Sequence, residues 1–574
     1  MKKRTYSNPM DLNYEYRVYD IGTEKSPICL EAADPVMVIF EGEYYLFSSV
    51  TKGYWVSADM SSWEFINCDT SQLPSIYWYA PAVMVLDGAI YFHQGDHDKR
   101  LYRNKTPRDP NTWELVTDNC YVGHDPFLYH DEIEDRVWAS YGCGNGKREY
   151  IKVVELDRKT LEPIGEVHEC IKFDPWTRGW ERSRDTHTHE GGYTEGSQIL
   201  RHNNKWYLIY SGFSLHKCYA NGVYVSDHPT GPYEYMQNNP VSHKSTGFVG
   251  GAAHGCFFED KFGNWWNVTC ATVFVTHGFE RRINLFPAGF DEDGFLYTNT
   301  MLSDFSVTLP EGKRDHRLLT PPYMLLSKDC PVSVSSVETA MPEHALYGQA
   351  IVNTNVPDTR YDHDPRYVTD EDIRTLWAAA SRESGEWARI DLGRSCAIEA
   401  VQLNIPTYNL QTDDPAEKYH EYVIECSEDG EIWQILVDNR GKKEFAPHGY
   451  YEVKAQGRYV RVTFYHVAGN GFAAISGLRV FGHGGGEKPD TVADFSIIRD
   501  PEDLRNATLS WSAAKNAEGY IVRYGIAPDK LYNQYQVYGE SVEVRTLTLG
   551  IHYFFRVDSF NSEGITQGTK IIGI

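Results

Sequence analysis

The chain is short of basic residues, of helix signals and of long apolar runs. Lys and Arg number 55 against 80 Asp and Glu, a formal net charge of −25. Such a surface repels a phosphate backbone, so nucleic acid is not an expected partner. No stretch approaches the roughly 20 apolar residues of a membrane helix, so no membrane partner is expected either. The segment Met1 to Pro9 starts basic but lacks the apolar run of a secretory leader. Eleven cysteines are scattered along the chain, an odd number with no C-x-x-C pair. That pattern signals neither a disulfide framework nor a zinc site. It points to a reducing compartment and a cytoplasmic location, with a trimmed secreted protein as the other reading.

Aromatic residues, by contrast, are abundant: 40 Tyr and 14 Trp within 574 residues. They suit β packing, and they suit surfaces that meet the C–H faces of sugars. A turn residue followed by an aromatic-rich strand recurs five times, marked by Tyr45, Tyr91, Trp138, Tyr207 and Trp266. Intervals of about 46 to 69 residues suggest the blades of a propeller, widened by insertions, notably around Lys147 to Asp185. A second region, ending near Gly482, alternates short strands and turns as a jelly-roll sandwich does. His483 to Pro489 reads as a linker. The remaining residues, with Trp511, Tyr520 to Tyr524 and Tyr553 to Asn561, fit an immunoglobulin-like sandwich. The predicted architecture is all-β, with units at 1–325, 326–484 and 488–574.

Three carboxylates stand at the heads of strand-like runs in three of the repeats. They lie in Ala33-Asp34-Pro35, His124-Asp125-Pro126 and Thr194-Glu195-Gly196. Taken singly, each is as readily an ordinary turn. Their phase with the repeats makes them a set, because the inner strand of each blade points at one axis. Cleavage of a glycosidic bond needs an acid for the leaving oxygen and a carboxylate across the sugar. A third carboxylate nearby would keep that acid protonated near neutral pH.

Residues from about 25 to 310 resemble glycoside hydrolase family 43, whose fold is a five-bladed β-propeller. Ala33-Asp34-Pro35 resembles that family's general-base motif. Asp125-Pro126-Phe127 resembles the motif of the residue that tunes the acid, and Thr194-Glu195-Gly196 resembles the general-acid motif. Tyr79-Ala80-Pro81 resembles Trp-Ala-Pro with Tyr in place of Trp; a Trp stands one residue earlier, at Trp78. The resemblance therefore makes Asp34, Asp125 and Glu195 catalytic and places Trp78 and Tyr79 at the sugar. Ala253-His254-Gly255 resembles a Gly-His-Gly stretch, which implies that His254 faces the substrate and helps hold a calcium ion on the propeller axis. Arg281 resembles the active-site Arg, with Arg282 as the alternative. Asp185-Thr186-His187-Thr188-His189-Glu190 looks like a metal cluster but is read as a loop rimming the pocket. The second region resembles a discoidin-like (coagulation-factor type C) galactose-binding-like domain and the third resembles fibronectin type III, with Trp511 as core Trp and Tyr553 as corner Tyr.

The expected function is an exo-acting, inverting glycosidase that releases single sugars, α-L-arabinofuranosides or β-xylosides, with no required cofactor and a carbohydrate partner. A β-D-galactofuranosidase of the same fold is the alternative within that chemistry. A lectin-like protein that only holds glycans is the alternative outside it.

Overall fold

A computed structural model of the chain describes residues 4–18, 28–95, 98–120, 122–144, 150–183, 192–212, 217–273, 279–339 and 362–574. The cluster from Asp185 to Glu190 lies outside the described residues. Strands dominate, and helical structure among the described residues is limited to short 3₁₀ turns. None of it is long and apolar enough to cross a membrane.

Five four-stranded antiparallel units follow one another in the first half, the last two joined into one eight-stranded sheet by a parallel bridge between Ala220 and Ala252. The first is Ala33–Phe40, Glu43–Ser49, Gly53–Ser57 and Glu64–Asn67. The second and third begin with Pro81–Leu86 and Phe127–Asp131. The fourth and fifth begin with Thr194–His202 and Gly250–Glu259. The repeated aromatic phrase is the second strand of each sheet: Tyr45, Tyr91, Trp138, Tyr207 and Trp266 are all buried there. Each first strand contacts the first strand of the next sheet, and the fifth contacts the first, so these strands close a ring.

The five units share a backbone device. Asp34, Ala80, Asp125, Gly196 and His254 all have φ between 42° and 54°, four at the heads of first strands and His254 midway along Gly250–Glu259. Pairing slips at Ala33/Val36, Glu195/Gln198 and Ala253/Cys256. A bulge of this kind re-aims a side chain at the end of a strand. Here it does so in three of the five first strands. The left-handed conformation is uncommon for residues other than Gly, so its recurrence at Asp34, Asp125 and His254 marks a site.

Residues 4–18 return to the outer side of the fifth sheet. Asn8 exchanges two side-chain hydrogen bonds of 2.9 Å with the backbone of Leu285, and the Met10 N–H donates to Ile283 O at 2.9 Å. Beyond the sheets, Trp387–Asn404 and His448–His466 form the spine of a second unit, 18 and 19 residues long and bent by register shifts. A third unit pairs Phe495–Arg499, Ala507–Trp511 and Ser541–Val544 in one sheet and Gly519–Gly525, Asn533–Val537 and Phe554–Asn561 in another. Trp511 lies in its core, and the Thr548 N–H donates to Tyr553 Oη at 3.1 Å.

A buried charge network ties the first two units. Arg479 forks onto Glu371 at 2.8 and 2.9 Å and donates to Asp304 O at 2.6 Å and to Ser7 Oγ at 3.2 Å. Both charged partners are almost fully buried. Removing one member leaves the other charged and dry, which costs about 3–5 kcal/mol, whereas replacing both by apolar groups can be near neutral. Arg479→Met is therefore expected to lower the thermal unfolding midpoint sharply, and Arg479→Met with Glu371→Leu to recover much of the loss. Scanning calorimetry of the single and double variants measures this; equal destabilisation by both would contradict it.

Candidate active site

The three carboxylates predicted from sequence meet in one pocket inside the ring of first strands. Asp34 is buried and carries four partners. Ser49 Oγ donates to its Oδ2 at 2.5 Å, and Arg281 Nη1 reaches its Oδ1 at 3.2 Å. His254 Nδ1 lies 3.1 Å from the same Oδ1, and Cys270 Sγ lies 3.4 Å from it. Burial opposes ionisation of Asp34, but Arg281, His254 and the Ser49 and Cys270 hydrogen bonds outweigh it. Its carboxyl is held below the ordinary carboxylate value.

Across the pocket, Asp125 and Glu195 carry the opposite bias. Burial pushes Asp125 up to about 7; His254 opposes this, and the charges of Glu195 and Asp34 add to it. Burial also raises Glu195, against His254 and against the Tyr219 hydroxyl, which donates to its Oε1. Cys143 completes the pair's surroundings, with its Sγ 3.9 Å from Glu195 Oε2 and 3.0 Å from Tyr193 Oη. The pair retains a proton in the range where Asp34 has lost its own.

His254 links the two sides. Its backbone N–H donates to Ser211 Oγ at 2.9 Å, which fixes the ring from behind. A side chain on Gly196 is impossible without moving that ring, since a Cβ there would lie 2.6 Å from His254 Cγ and Cδ2. The glycine beside the acid is thus a packing requirement as well as a φ of 54°. Burial disfavours the imidazolium, but Asp34, Asp125 and Glu195 together raise its pKa above the ordinary value.

The expected calcium can be tested against these donors. Ligand atoms of Asp125, Glu195 and His254 lie within 4.8 Å of one another. Calcium takes roughly six to eight oxygen ligands. Here the described residues offer two carboxyls and one imidazole, fewer oxygen donors than calcium takes.

The choice between the two arginines is resolved by where each points. Arg281 holds Asp34 and Glu31, the latter at 2.8 Å. Arg282 faces away, donating to His448 at 2.8 Å and Leu30 O at 2.6 Å. Tyr79 is half-buried, with the Arg17 guanidinium 4.8 Å from its ring centre and Arg281 at 6.0 Å. Trp78 packs edge-on to Tyr79 and remains 45 % exposed, so it stands on the rim of the pocket.

Sequence reading missed Ser49, Tyr219, Cys143, Cys270, Ser211 and Glu31. Ser49, Ser211 and Cys270 share a position that could have revealed them. Each lies at or near the end of a second strand, four residues beyond its aromatic marker Tyr45, Tyr207 or Trp266. The cysteines carried no signal as redox residues; here Cys143 and Cys270 are partners of the carboxyls.

Residues 25–296 match the model of glycosyl hydrolases family 43, and residues 367–462 match that of the NedA-like galactose-binding domain. A xylan 1,3-β-xylosidase of Vibrio sp is 23% identical over 284 residues, which are 44% of this chain and 48% of that protein. The chain thus spans about half the length of this curated relative. A solved glycoside hydrolase, 17% identical, aligns over 78% of this chain and 97% of its own with a TM-score of 0.46. A xylan β-1,4-xylosidase from Bacillus halodurans C-125, 15% identical, aligns over 99% and 96% with a TM-score of 0.39. At such scores the structural likeness carries no weight of its own. The family models identify residues 25–296 as a glycosyl hydrolase family 43 domain and residues 367–462 as a galactose-binding-like domain.

Proposed function

We propose that this protein is an exo-acting, inverting glycosidase. The observation that carries the reading is the opposed bias of the carboxyls: Asp34 favoured as the carboxylate, the Asp125–Glu195 pair favoured as holding a proton. Asp34 takes the proton of a water molecule as that water attacks the anomeric carbon. Glu195 gives its proton to the departing glycosidic oxygen. Asp125 tunes and orients Glu195 in their shared pocket. Arg281 and His254 hold Asp34 as the anion, and Tyr219 orients Glu195. Trp78 and Tyr79 offer ring surface to the sugar.

The ring of five first strands supports a five-bladed propeller over 1–325, and the galactose-binding-like unit over 326–484 suits glycan attachment. The two-sheet unit over 488–574 fits a fibronectin type III sandwich. Among substrates, β-xylosides are favoured by the named activity of the curated relative, ahead of α-L-arabinofuranosides and β-D-galactofuranosides. A lectin would have no need to hold one carboxyl ionised and its neighbours protonated.

Glu195→Gln and Asp34→Asn are each expected to lower kcat on aryl glycosides or oligosaccharides by at least about 10²-fold. A panel of aryl furanosides and pyranosides assayed with wild type and variants tests this; activity equal to wild type in either variant removes its role. Proton NMR of the first-formed sugar should show the inverted anomer, and a retained anomer would reject Asp34 as base. The pH profile follows from the same shifts. Asp34, with a lowered pKa, sets an acidic limb below the usual carboxylate range. The pair, whose proton is lost near neutrality, sets the alkaline limb. Asp125→Asn removes one negative charge beside Glu195, so the alkaline limb should move to lower pH by about one unit. An alkaline limb that stays in place speaks against the tuning role.

A further inference from the structure

The connection after the third sheet carries a tryptophan that the proposed reaction leaves unused. Trp176 is 58 % exposed, yet its ring stacks on Phe173 with centroids 6.4 Å apart and planes 29° from parallel. Phe173 is buried and packs flat on the chain that leads into the acid: a Cβ on Gly192 would lie 2.1 Å from Phe173 Cδ2. Gly192 stands three residues before Glu195. The stack therefore lies beside the chain that leads into the acid, whereas Trp78 neighbours Tyr79.

An exposed ring on a connection is useful for recognition only if it is held. This one is gripped by the C-terminal sandwich. Arg505 Nη1 donates to Pro175 O at 2.6 Å and Trp176 O at 3.2 Å. Gly179 N donates to Leu547 O and Leu549 N to Thr177 O, both at 2.9 Å. Arg182 reaches Asp503 at 2.8 Å and the Asn506 side chain at 2.7 Å. From the other side, Trp180 is fully buried against the backbone of Gly212 and Gly222 in the fourth sheet, the sheet that carries Glu195. The segment is thus fixed between the acid's own sheet and a unit more than 300 residues away in sequence.

We propose that the Phe173–Trp176 stack is the platform for the leaving-group sugar, and that the C-terminal sandwich holds it in position. The proposal rests on the reading of Glu195 as acid, because the acid protonates the leaving oxygen and the leaving sugar lies on its side. Trp176 offers its free face to the apolar C–H face of that sugar, and Arg505 is a positioning residue acting through the backbone of residues 175 and 176.

The test uses the full chain carrying Glu195→Gln, titrated calorimetrically with xylotetraose and with arabinotetraose. Adding Trp176→Ala is expected to weaken binding of the bound oligosaccharide about tenfold, and Trp176→Phe to weaken it less. Trp176 is exposed, so its truncation spares the core. Arg505→Gln should weaken the same affinity by a few fold. In the active protein, the ratio of kcat/KM on the tetrasaccharide to kcat/KM on the matching glycosyl fluoride, which has no leaving sugar, should fall about tenfold in Trp176→Ala. Affinity and ratio both unchanged overturn the proposal. If wild type cleaves neither substrate while the affinity still falls, the platform stands and the hydrolase reading falls.

Discussion

The site depends on one electrostatic constraint: three carboxyl groups share a largely buried pocket with, among the described residues, two cationic side chains against Asp34. Arg281 and His254 both reach Asp34 Oδ1. Full ionisation of all three acids would leave a surplus of negative charge in low dielectric, which burial forbids. The least costly arrangement ionises the carboxyl that both cations pair with and leaves a proton on the other two, where burial outweighs the pull of His254. An asymmetry useful to an acid–base reaction thus follows from where the cations sit.

The cations are placed by the fold, through the same device that places the acids. Positive φ at the heads of first strands, and midway along Gly250–Glu259 for His254, turns Asp34, Asp125 and His254 toward the axis, and the ends of second strands supply Ser49, Ser211 and Cys270 to hold them. Strands that close a ring have no freedom to slide individually. A one-residue slip in any of them would send its side chain to the opposite face. Precision at the pocket is therefore a property of the whole ring, and the buried Arg479–Glu371 pair extends that rigidity to the second unit.

Much of this was legible in the sequence because the repeats carried it. The five aromatic phrases became second strands, and Asp34, Asp125 and Glu195 came together as their phase implied. Ala80 and Gly196 were visible only as motif residues, although they share the left-handed backbone of the acids. Partners such as Tyr219 and Cys143 could not be read, since nothing local distinguishes a Tyr that meets Glu195 from the 39 others. Arg281 and Arg282 are adjacent and chemically equal; alternation along a strand sends one to Asp34 and its neighbour to His448. The tie between the third sheet's insertion and Arg505 was equally hidden, because it joins residues more than 300 apart through backbone carbonyls that any sequence would provide.

That hidden tie bears on how the units divide their work. The carboxyls sit on strand heads, where the ring constrains them alike in all five sheets. The exposed rings Trp78 and Trp176 sit instead on connections, where length and sequence vary without disturbing the ring. A connection left to itself would be too loose to discriminate between sugars, because ordering it on binding would consume the affinity gained. Clamping residues 175–182 between the fourth sheet and the C-terminal sandwich removes that cost before substrate arrives. A unit that supplies no side chain to the reacting atoms can still govern which glycan reaches them, by deciding how rigidly an aromatic ring is held.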